Sequence, residues 1–227
     1  MSLAVRSTAA ELMDADDVDQ ATYDALIGDL ARVNTATLAR RPTLAFVKRA
    51  LGGRKSLRLL DVGFGDGDML RGIARWCARH GVEAELVGVD LNPRSEVSAR
   101  AHTPAGSPIR YVTGDYAAMG GGWDAVVSNL VAHHMTRAEL LAFLRFMEAN
   151  ARSWFVNDVH RHRLAHLGWP ALAALARWHP IVRHDGRVSI ARSFRPAEWR
   201  ALLAEAGVGG ARAFRAFPFR LCVERLR

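Results

Sequence analysis

The chain has little cysteine and no long hydrophobic run. Its two cysteines, Cys77 and Cys222, lack CxxC spacing, which excludes a disulfide-rich scaffold and predicts reduced, buried thiols. No apolar run approaches the roughly 20 residues of a membrane span, and the N-terminus lacks the apolar core of a signal peptide. We therefore expect a soluble, cytoplasmic protein whose 227 residues form one α/β domain with a lid.

The charge is unevenly distributed along the chain, and lysine is absent from its arginine-rich C-terminal third. The formal net charge is +8, yet residues 11–31 carry seven acids and no base: Glu11, Asp14, Asp16, Asp17, Asp19, Asp24 and Asp29. Residues 152–227 carry fourteen arginines against five acids. Scattered arginines are more typical of a solvated face than of a phosphate track, so we do not expect nucleic acid as a partner.

Apolar periodicity predicts alternating strands and helices. One helix is predicted within residues 11–38 and a second over 40–51. A further helix is predicted over 136–151, where Thr136 and Glu139 form a capping box. Helices are also predicted over 69–81 and 92–102. Five short apolar runs are predicted as strands: 57–63, 85–91, 109–115, 123–131 and 153–159. This alternation predicts a parallel sheet with its ligand site at the carboxyl ends of the strands.

The remaining chain predicts a cap and a closing strand pair. We predict one or two helices over residues 160–180 and another over 195–207. Two strands, 211–217 and 219–226, are predicted to form a hairpin or bent pair at the sheet edge. We predict an N-terminal helical lid over 1–53 and a ligand-binding domain over 54–227. A helical substrate cap is inserted at about 160–192.

Glycines at every second position leave the first strand and enter a helix. Gly63, Gly65 and Gly67 follow Asp61, so the backbone can turn tightly and approach a ligand closely. The dinucleotide motif GxGxxG fails here, because Asp68 occupies the position of its third glycine. A carboxylate there would repel a pyrophosphate, so the predicted ligand carries no phosphate.

Acidic residues end the first three strands in an order that suits S-adenosylmethionine. Asp61 can attract its cationic methionine portion, and Asp90 can accept both ribose hydroxyls. Asp115 can accept a hydrogen bond from the adenine amine, while Leu91 and Tyr116 sandwich the ring. Each acid taken alone could be structural. Three at successive strand ends favour a cofactor site.

Residues 57–159 resemble the class I family of S-adenosylmethionine-dependent methyltransferases. The resemblance rests on four stretches: DVGFGDG, VDLN, GDY and DAVVSNLVAHHM. The resemblance implies a Rossmann-like three-layer αβα sandwich, whose seven-stranded sheet is mostly parallel with one antiparallel strand. It also adds Phe64, Asn129 and Leu130 to the cofactor-binding residues. The acidic ELMD segment resembles the start of small methyltransferases encoded beside polyketide synthases that make phenolic lipids.

Two adjacent histidines follow the fourth strand, where an acceptor would meet the cofactor. A phenol with a pKa near 10 is mostly protonated at neutral pH, and a histidine is a suitable proton acceptor. His133 and His134 are therefore the candidate bases, although an adjacent pair can also serve only to cap a helix. Which of the two acts stays open.

The end of the fifth strand carries a second polar cluster of Asn157, Asp158, His160 and His162. Asp158 is the candidate for orienting or replacing the base. The fourth strand ends in Asn129 rather than an acid, so no metal is expected. Four aromatic residues line a pocket or belong to the core, the core being the commoner outcome: Trp169, Trp178, Phe194 and Trp199.

We expect O-methylation of a small phenolic or lipid-like natural product of secondary metabolism. The fourth strand continues as SNLV rather than an NPPY-like motif, which argues against methylation of DNA adenine or cytosine. Methylation of RNA or of a quinone precursor stays open, as does a non-catalytic cofactor-binding role. The expected partner is a small-molecule substrate, and a homodimer stays open.

Overall fold

The computed structural model describes residues 3–15 and 18–227. Asp16 and Asp17 of the acidic segment and the first two residues of the predicted lid lie outside this range. The helices of the described chain are α1 Gln20–Ala36, α2 Arg40–Leu51, α3 Asp68–Arg79, α4 Pro93–His102, α5 Arg137–Asn150, α6 Arg163–Leu175, α7 Pro180–Arg192 and α8 Pro196–Glu205. Its strands are β1 Ser56–Val62, β2 Glu83–Asp90, β3 Ile109–Thr113, β4 Trp123–Asn129, β5 Ala151–Val159, β6 Arg212–Ala216 and β7 Arg220–Arg225.

One seven-stranded sheet has the order β3-β2-β1-β4-β5-β7-β6. β1 to β5 pair in parallel, and β7 runs antiparallel to both β5 and β6. The predicted mostly parallel sheet with one antiparallel strand is therefore confirmed. The strand order reverses between β1 and β4, so the crevice for a ligand lies at the carboxyl ends of these two strands.

Two apolar clusters cover the two faces of the sheet. Alternate residues of a strand point to opposite faces, so Leu57 and Leu59 pack with α2 and α3, whereas Leu60 and Val62 pack with α5 and α8. Trp199 of α8 is fully buried in the second of these clusters. The two cysteines are free and buried, as predicted.

A third, smaller cluster joins α1, α6 and α7. Leu26 of α1 packs there with Trp178 and with Val182 of α7, and the ring of Trp169 stacks on that of Trp178 at 5.4 Å. These tryptophans therefore pack among the helices. The cluster forms a helical layer separate from the two clusters on the sheet. No helix in the described residues is long and apolar enough to cross a membrane.

The N-terminal segment departs from its predicted helical form. Residues 12–14 make only a 3-10 turn, and α1 begins at Gln20, because the Asp19 side chain accepts a hydrogen bond from the Thr22 amide at 2.7 Å. Residues 3–15, which we call the strap, lie along α7 instead. The Asp185 carboxylate accepts the amides of Leu12 and Met13 at 2.9 and 3.0 Å. Local periodicity cannot detect a partner so distant in sequence.

Candidate active site

The glycine loop between β1 and α3 requires its glycines for both conformation and space. Gly63, Gly65 and Gly67 have φ values of +75°, +56° and +75°. A Cβ on Gly63 would lie 2.3 Å from a methyl of Val131, and one on Gly67 would lie 2.2 Å from the Tyr111 hydroxyl. Because Val131 belongs to the loop after β4, the two loops that frame the crevice touch at Gly63.

Gly67→Ala should lower the free energy of unfolding by roughly 2–5 kcal/mol, from left-handed backbone strain and the clash with Tyr111. Gly81→Ala is the matched control, since Gly81 also has a positive φ of +62° but no atom lies within 4 Å of the added Cβ. Its expected cost is about 1 kcal/mol. Denaturant unfolding checks both variants, and equal losses would contradict the tight approach at Gly67.

Asp61 is a buried carboxylate without a cationic partner in the described chain. It is 1% exposed, and its one side-chain hydrogen bond comes from the Asn129 amide at 3.5 Å. Burial raises the pKa of Asp61 to about 7, and the negative charge of Asp90 adds to this rise. A buried acid in this state fits a cationic ligand at the carboxyl end of β1.

Asp90 ties the ends of β1 and β2 together. One carboxylate oxygen accepts the Gly65 amide and the other accepts the Asn92 amide, both at 2.9 Å. Burial raises the pKa of this carboxyl group. A carboxylate has about four acceptor positions, so Asp90 can still bind two hydroxyl groups.

The predicted adenine contacts lie further along the same edge. Asp115 is exposed and accepts the Ala117 amide at 2.8 Å, while Leu91 is 76% exposed. The Tyr116 ring packs edge-on against Phe143 of α5 at 5.0 Å. An adenine ring between Leu91 and Tyr116 stays a prediction.

The three residues added by resemblance take different positions. Phe64 packs inward against Tyr111 at 4.9 Å, so its side chain fixes the glycine loop from the core. Asn129 accepts a hydrogen bond from the Thr43 hydroxyl at 2.6 Å. Leu130 has a φ of +62°, which turns the chain sharply after β4.

His133 and Asp158 form a buried pair at the carboxyl ends of β4 and β5. Their exposures are 2% and 1%, and Nδ1 of His133 lies 2.7 Å from Oδ1 of Asp158. The His133 amide also donates to Oδ2 at 2.9 Å. Burial acts to lower the pKa of His133, but Asp158 and Glu11 outweigh it and raise the pKa to about 9. The imidazole is thus a strong base with a fixed orientation.

The strap brings two acids that sequence reasoning missed as site residues. Glu11 is buried, with one oxygen 3.4 Å from Nε2 of His133 and the other 3.8 Å from Nε2 of His134. Asp14 lies 3.2 Å from Nδ1 of His134, and the Ser189 hydroxyl donates to Glu11 at 2.8 Å. The ELMD motif contains both acids, but no local pattern relates it to a histidine pair 120 residues later.

Two arginines join the strap to the loop that carries the histidines. Arg6 donates to the carbonyl oxygens of His133 and Met135, both at 2.7 Å. Arg192 of α7 donates to the carbonyls of His133 and Ala9 at 3.2 and 3.1 Å. The strap therefore covers the histidine pair and is bound to it on both sides.

The donor atoms of Glu11, His133 and His134 lie within 4.8 Å of one another. A carboxylate and two imidazoles are a donor set that zinc accepts, so this spacing would admit a metal ion. The sequence offered no such expectation, since Glu11 comes from the strap. A metal-dependent reaction is therefore an alternative to a histidine base, and the two differ in their response to a chelator.

The four polar residues at the end of the fifth strand and just after it do not come together in one site. Of these, Asp158 contacts the histidine pair in the described chain. Asn157 is buried and donates to the carbonyl of Ala39 at 2.8 Å. His160 and His162 have ring centroids 5.3 Å apart and line a separate cavity.

Residues 59–153 match the sequence profile of the family described as "Methyltransferase domain". The matched segment runs from β1 into β5 and contains the glycine loop and both histidines. Residues 59–153 are therefore a methyltransferase domain, which lies within the Rossmann-like sheet described above.

A search of curated protein sequences finds no match to this chain. Among solved structures it resembles magnesium protoporphyrin IX methyltransferase from Synechocystis PCC 6803, at 21% identity and a TM-score of 0.57, over 95% of this chain and 90% of that one. The plantazolicin methyltransferase BpumL gives 12% identity and a TM-score of 0.66, over 93% and 92%. Human N-acetylserotonin methyltransferase gives 13% and 0.63, over 91% and 56%. At identities this low, the structural similarity establishes a shared fold.

Proposed function

We propose that the methyltransferase transfers a methyl group from S-adenosylmethionine to a hydroxyl of a small phenolic or lipid-like natural product, with His133 as general base. The buried pair of His133 and Asp158 carries this proposal. It lies at the carboxyl ends of β4 and β5, in the loop that touches the glycine loop at Gly63. A base is thereby held beside the crevice in which the methyl donor would bind.

The residues of the crevice fit this donor. Asp61 is buried without a cation in the described chain, and a ligand bearing an ammonium and a sulfonium would supply one. Asp90 keeps acceptor positions for the ribose hydroxyls. The three similar structures named above are described as bound to S-adenosylmethionine or its demethylated product, which supports the same cofactor here.

When bound, S-adenosylmethionine would be held by Asp61 and Asp90 and would supply a methyl carbon activated by its sulfonium, for transfer to the acceptor oxygen. The acceptor proton passes to Nε2 of His133, and Asp158 stabilises the imidazolium. Asp158 raises the pKa of His133, which brings it closer to the pKa of a phenol near 10. Because Nε2 faces Glu11 at 3.4 Å, the acceptor hydroxyl must take the place of this carboxylate.

Exposed apolar residues of the helical layer agree with an apolar acceptor. The layer of α1, α6 and α7 packs beside the strap, and α6 exposes Leu172 and Leu175 in addition to two leucines that line a separate cavity. Large exposed apolar patches on a monomer commonly mark a binding surface. The resemblance of the ELMD segment to methyltransferases of phenolic-lipid pathways agrees with this acceptor class.

An acceptor screen tests the proposed chemistry. The enzyme is incubated with S-adenosylmethionine and with phenolic lipids, quinone precursors, small amines or tRNA, and the products are analysed by mass spectrometry. We expect methylation of a phenolic oxygen, with turnover unchanged by a chelator. Methylation of tRNA alone would reject the acceptor class. A loss in the chelator that zinc restores would place a metal at Glu11, His133 and His134 and reject the histidine base.

The affinity for S-adenosylmethionine should rise as pH increases from about 6 to 8. The pKa of Asp61 is raised to about 7, so this acid is neutral below that pH and becomes an anion above it. Only the anion attracts the cationic donor. Calorimetry at several pH values checks the slope, and Asp61→Asn should flatten it and leave the low affinity found at acidic pH. An equally steep slope in Asp61→Asn would assign the pH dependence to another group.

A further inference from the structure

The arginine-rich C-terminal third of the chain collects several of its cations in one cavity. The lining of this open cavity of about 580 Å³ includes no residue of the glycine loop or of the histidine pair. Its lining contains four arginines and two histidines but no acid: Arg161, Arg163, Arg195, Arg215, His160 and His162. Four of these basic residues are the consecutive stretch 160–163, and Arg195 and Arg215 join them from distant parts of the sequence.

Two helix N-termini meet at the same cavity. The chain after β5 reaches α6 through His162, the N-cap residue, while the chain after α7 reaches α8 through Arg195 and Pro196. A parallel bridge between His160 and Phe194 holds the two segments side by side. The positive ends of the α6 and α8 dipoles therefore add to the charge of the side chains.

The cations of the cavity are poorly neutralised within the chain. Arg161 is 2% exposed; it pairs with Glu198 and donates to the carbonyl of Ser193, but its Nε has no partner among the described residues. Arg163 and Arg215 are exposed and have no carboxylate partner in the part of the chain described. The exposed guanidinium groups of Arg163 and Arg215 are therefore available to an anionic ligand, while the buried Arg161 adds positive charge beneath them.

The pKa of His160 reflects the positive charge around this residue. Burial lowers its pKa, and the charges of the surrounding arginines and of His162 lower it further, to about 4. His160 is therefore neutral at physiological pH. A bound anion would offset the neighbouring cations and raise this pKa.

We propose that this cavity binds the phosphate group of a small-molecule ligand with an apolar portion. Arginine forks match a phosphate dianion, and helix N-termini are general phosphate sites. Leu164 and Leu167, exposed by 64% and 69%, line the same cavity and suit an apolar portion next to the phosphate. The cavity is a second site, independent of the proposed methyl transfer.

Calorimetry on the full chain with inorganic phosphate, hexyl phosphate and heptanoate tests the proposal. We expect saturable binding of both phosphates, hexyl phosphate the tighter, and weaker binding of heptanoate. The double variant Arg163→Gln/Arg215→Gln should lose at least about tenfold in phosphate affinity while S-adenosylmethionine affinity is unchanged. Arg152→Gln, an exposed arginine at the opposite end of β5, is the matched control and should bind phosphate normally.

Two further results would overturn the phosphate site. Equal losses in Arg152→Gln and the double variant would show a diffuse charge effect, and RNA oligonucleotides whose affinity rises steeply with length would show a polyanion surface. Histidine NMR provides a second readout, since phosphate should raise the pKa of His160. No saturable phosphate binding, or an unmoved His160, would also reject the proposal.

Discussion

Replacing His133 by alanine should lower kcat by about 10²- to 10⁴-fold, the contribution expected of a positioned general base. The reason is that Nε2 is the proposed acceptor of the substrate proton and its orientation is fixed by Asp158 at 2.7 Å. The dissociation constant of S-adenosylmethionine should stay within about twofold, because the imidazole does not hold the donor. Steady-state kinetics and calorimetry on the same preparations measure the two effects.

His134→Ala is the matched control, since its ring lies 4.3 Å from that of His133 but its Nδ1 faces the exposed Asp14 rather than the buried Asp158. We expect a much smaller loss. Equal losses for both histidines, or a loss of cofactor binding in His133→Ala, would contradict the assignment of the base.

The pH profile adds a readout that a structural role would not give. Wild-type kcat should rise towards pH 9, because His133 with a pKa of about 9 is mostly protonated at neutral pH and must lose this proton to act. Asp158→Asn should lower the plateau and move the midpoint to lower pH, because the carboxylate that raises the pKa is gone. A midpoint that does not move in Asp158→Asn would contradict the proposed pair.

Asp90→Ala should weaken the binding of S-adenosylmethionine by about 100-fold, the loss expected when two hydrogen bonds to a carboxylate disappear. The same carboxylate holds the amides of Gly65 and Asn92, so the variant also loosens the loop that contacts the donor. Calorimetry measures the affinity, and circular dichroism checks the fold.

Asp90→Asn separates these two roles. An asparagine keeps one oxygen acceptor for a loop amide but cannot accept both ribose hydroxyls as a carboxylate does. We expect a stable protein whose cofactor affinity is still strongly reduced. Wild-type affinity in Asp90→Asn would show that Asp90 serves the loop alone.

The sheet was predictable from the sequence because its signals are local. Each parallel strand is a short apolar run bounded by turn residues, and the capping box of Thr136 and Glu139 marks the start of α5. The glycine loop was predictable for the same reason, since glycines with positive φ occur at fixed spacing.

The strap and its acids were not predictable, because their partners lie far away in sequence. Asp185 binds the amides of Leu12 and Met13 more than 170 residues earlier, and Glu11 meets His133 only after the strap is held in place. Apolar periodicity within residues 11–38 instead favoured a helix. Tertiary contacts overrode it.

The choice between the two histidines also depended on tertiary structure. The β4 and β5 register pairs Asn129 with Asn157, which places Asp158 beside the loop that follows β4. The sequence identified Asp158 as a candidate but not its distance from either histidine. Similarly, the HRHR stretch at 160–163 gave no indication that Arg195 and Arg215 join it at one cavity.

Transfer of a deuterium-labelled methyl group from S-adenosylmethionine to a phenolic lipid, compared between wild type and His133→Ala, tests the central claim most directly. The account predicts label on the phenolic oxygen with the wild-type enzyme and at least about 100-fold less with the variant, both proteins binding the donor equally. Equal transfer by the two proteins, or no transfer by the wild type to any hydroxyl acceptor despite tight donor binding, would contradict it.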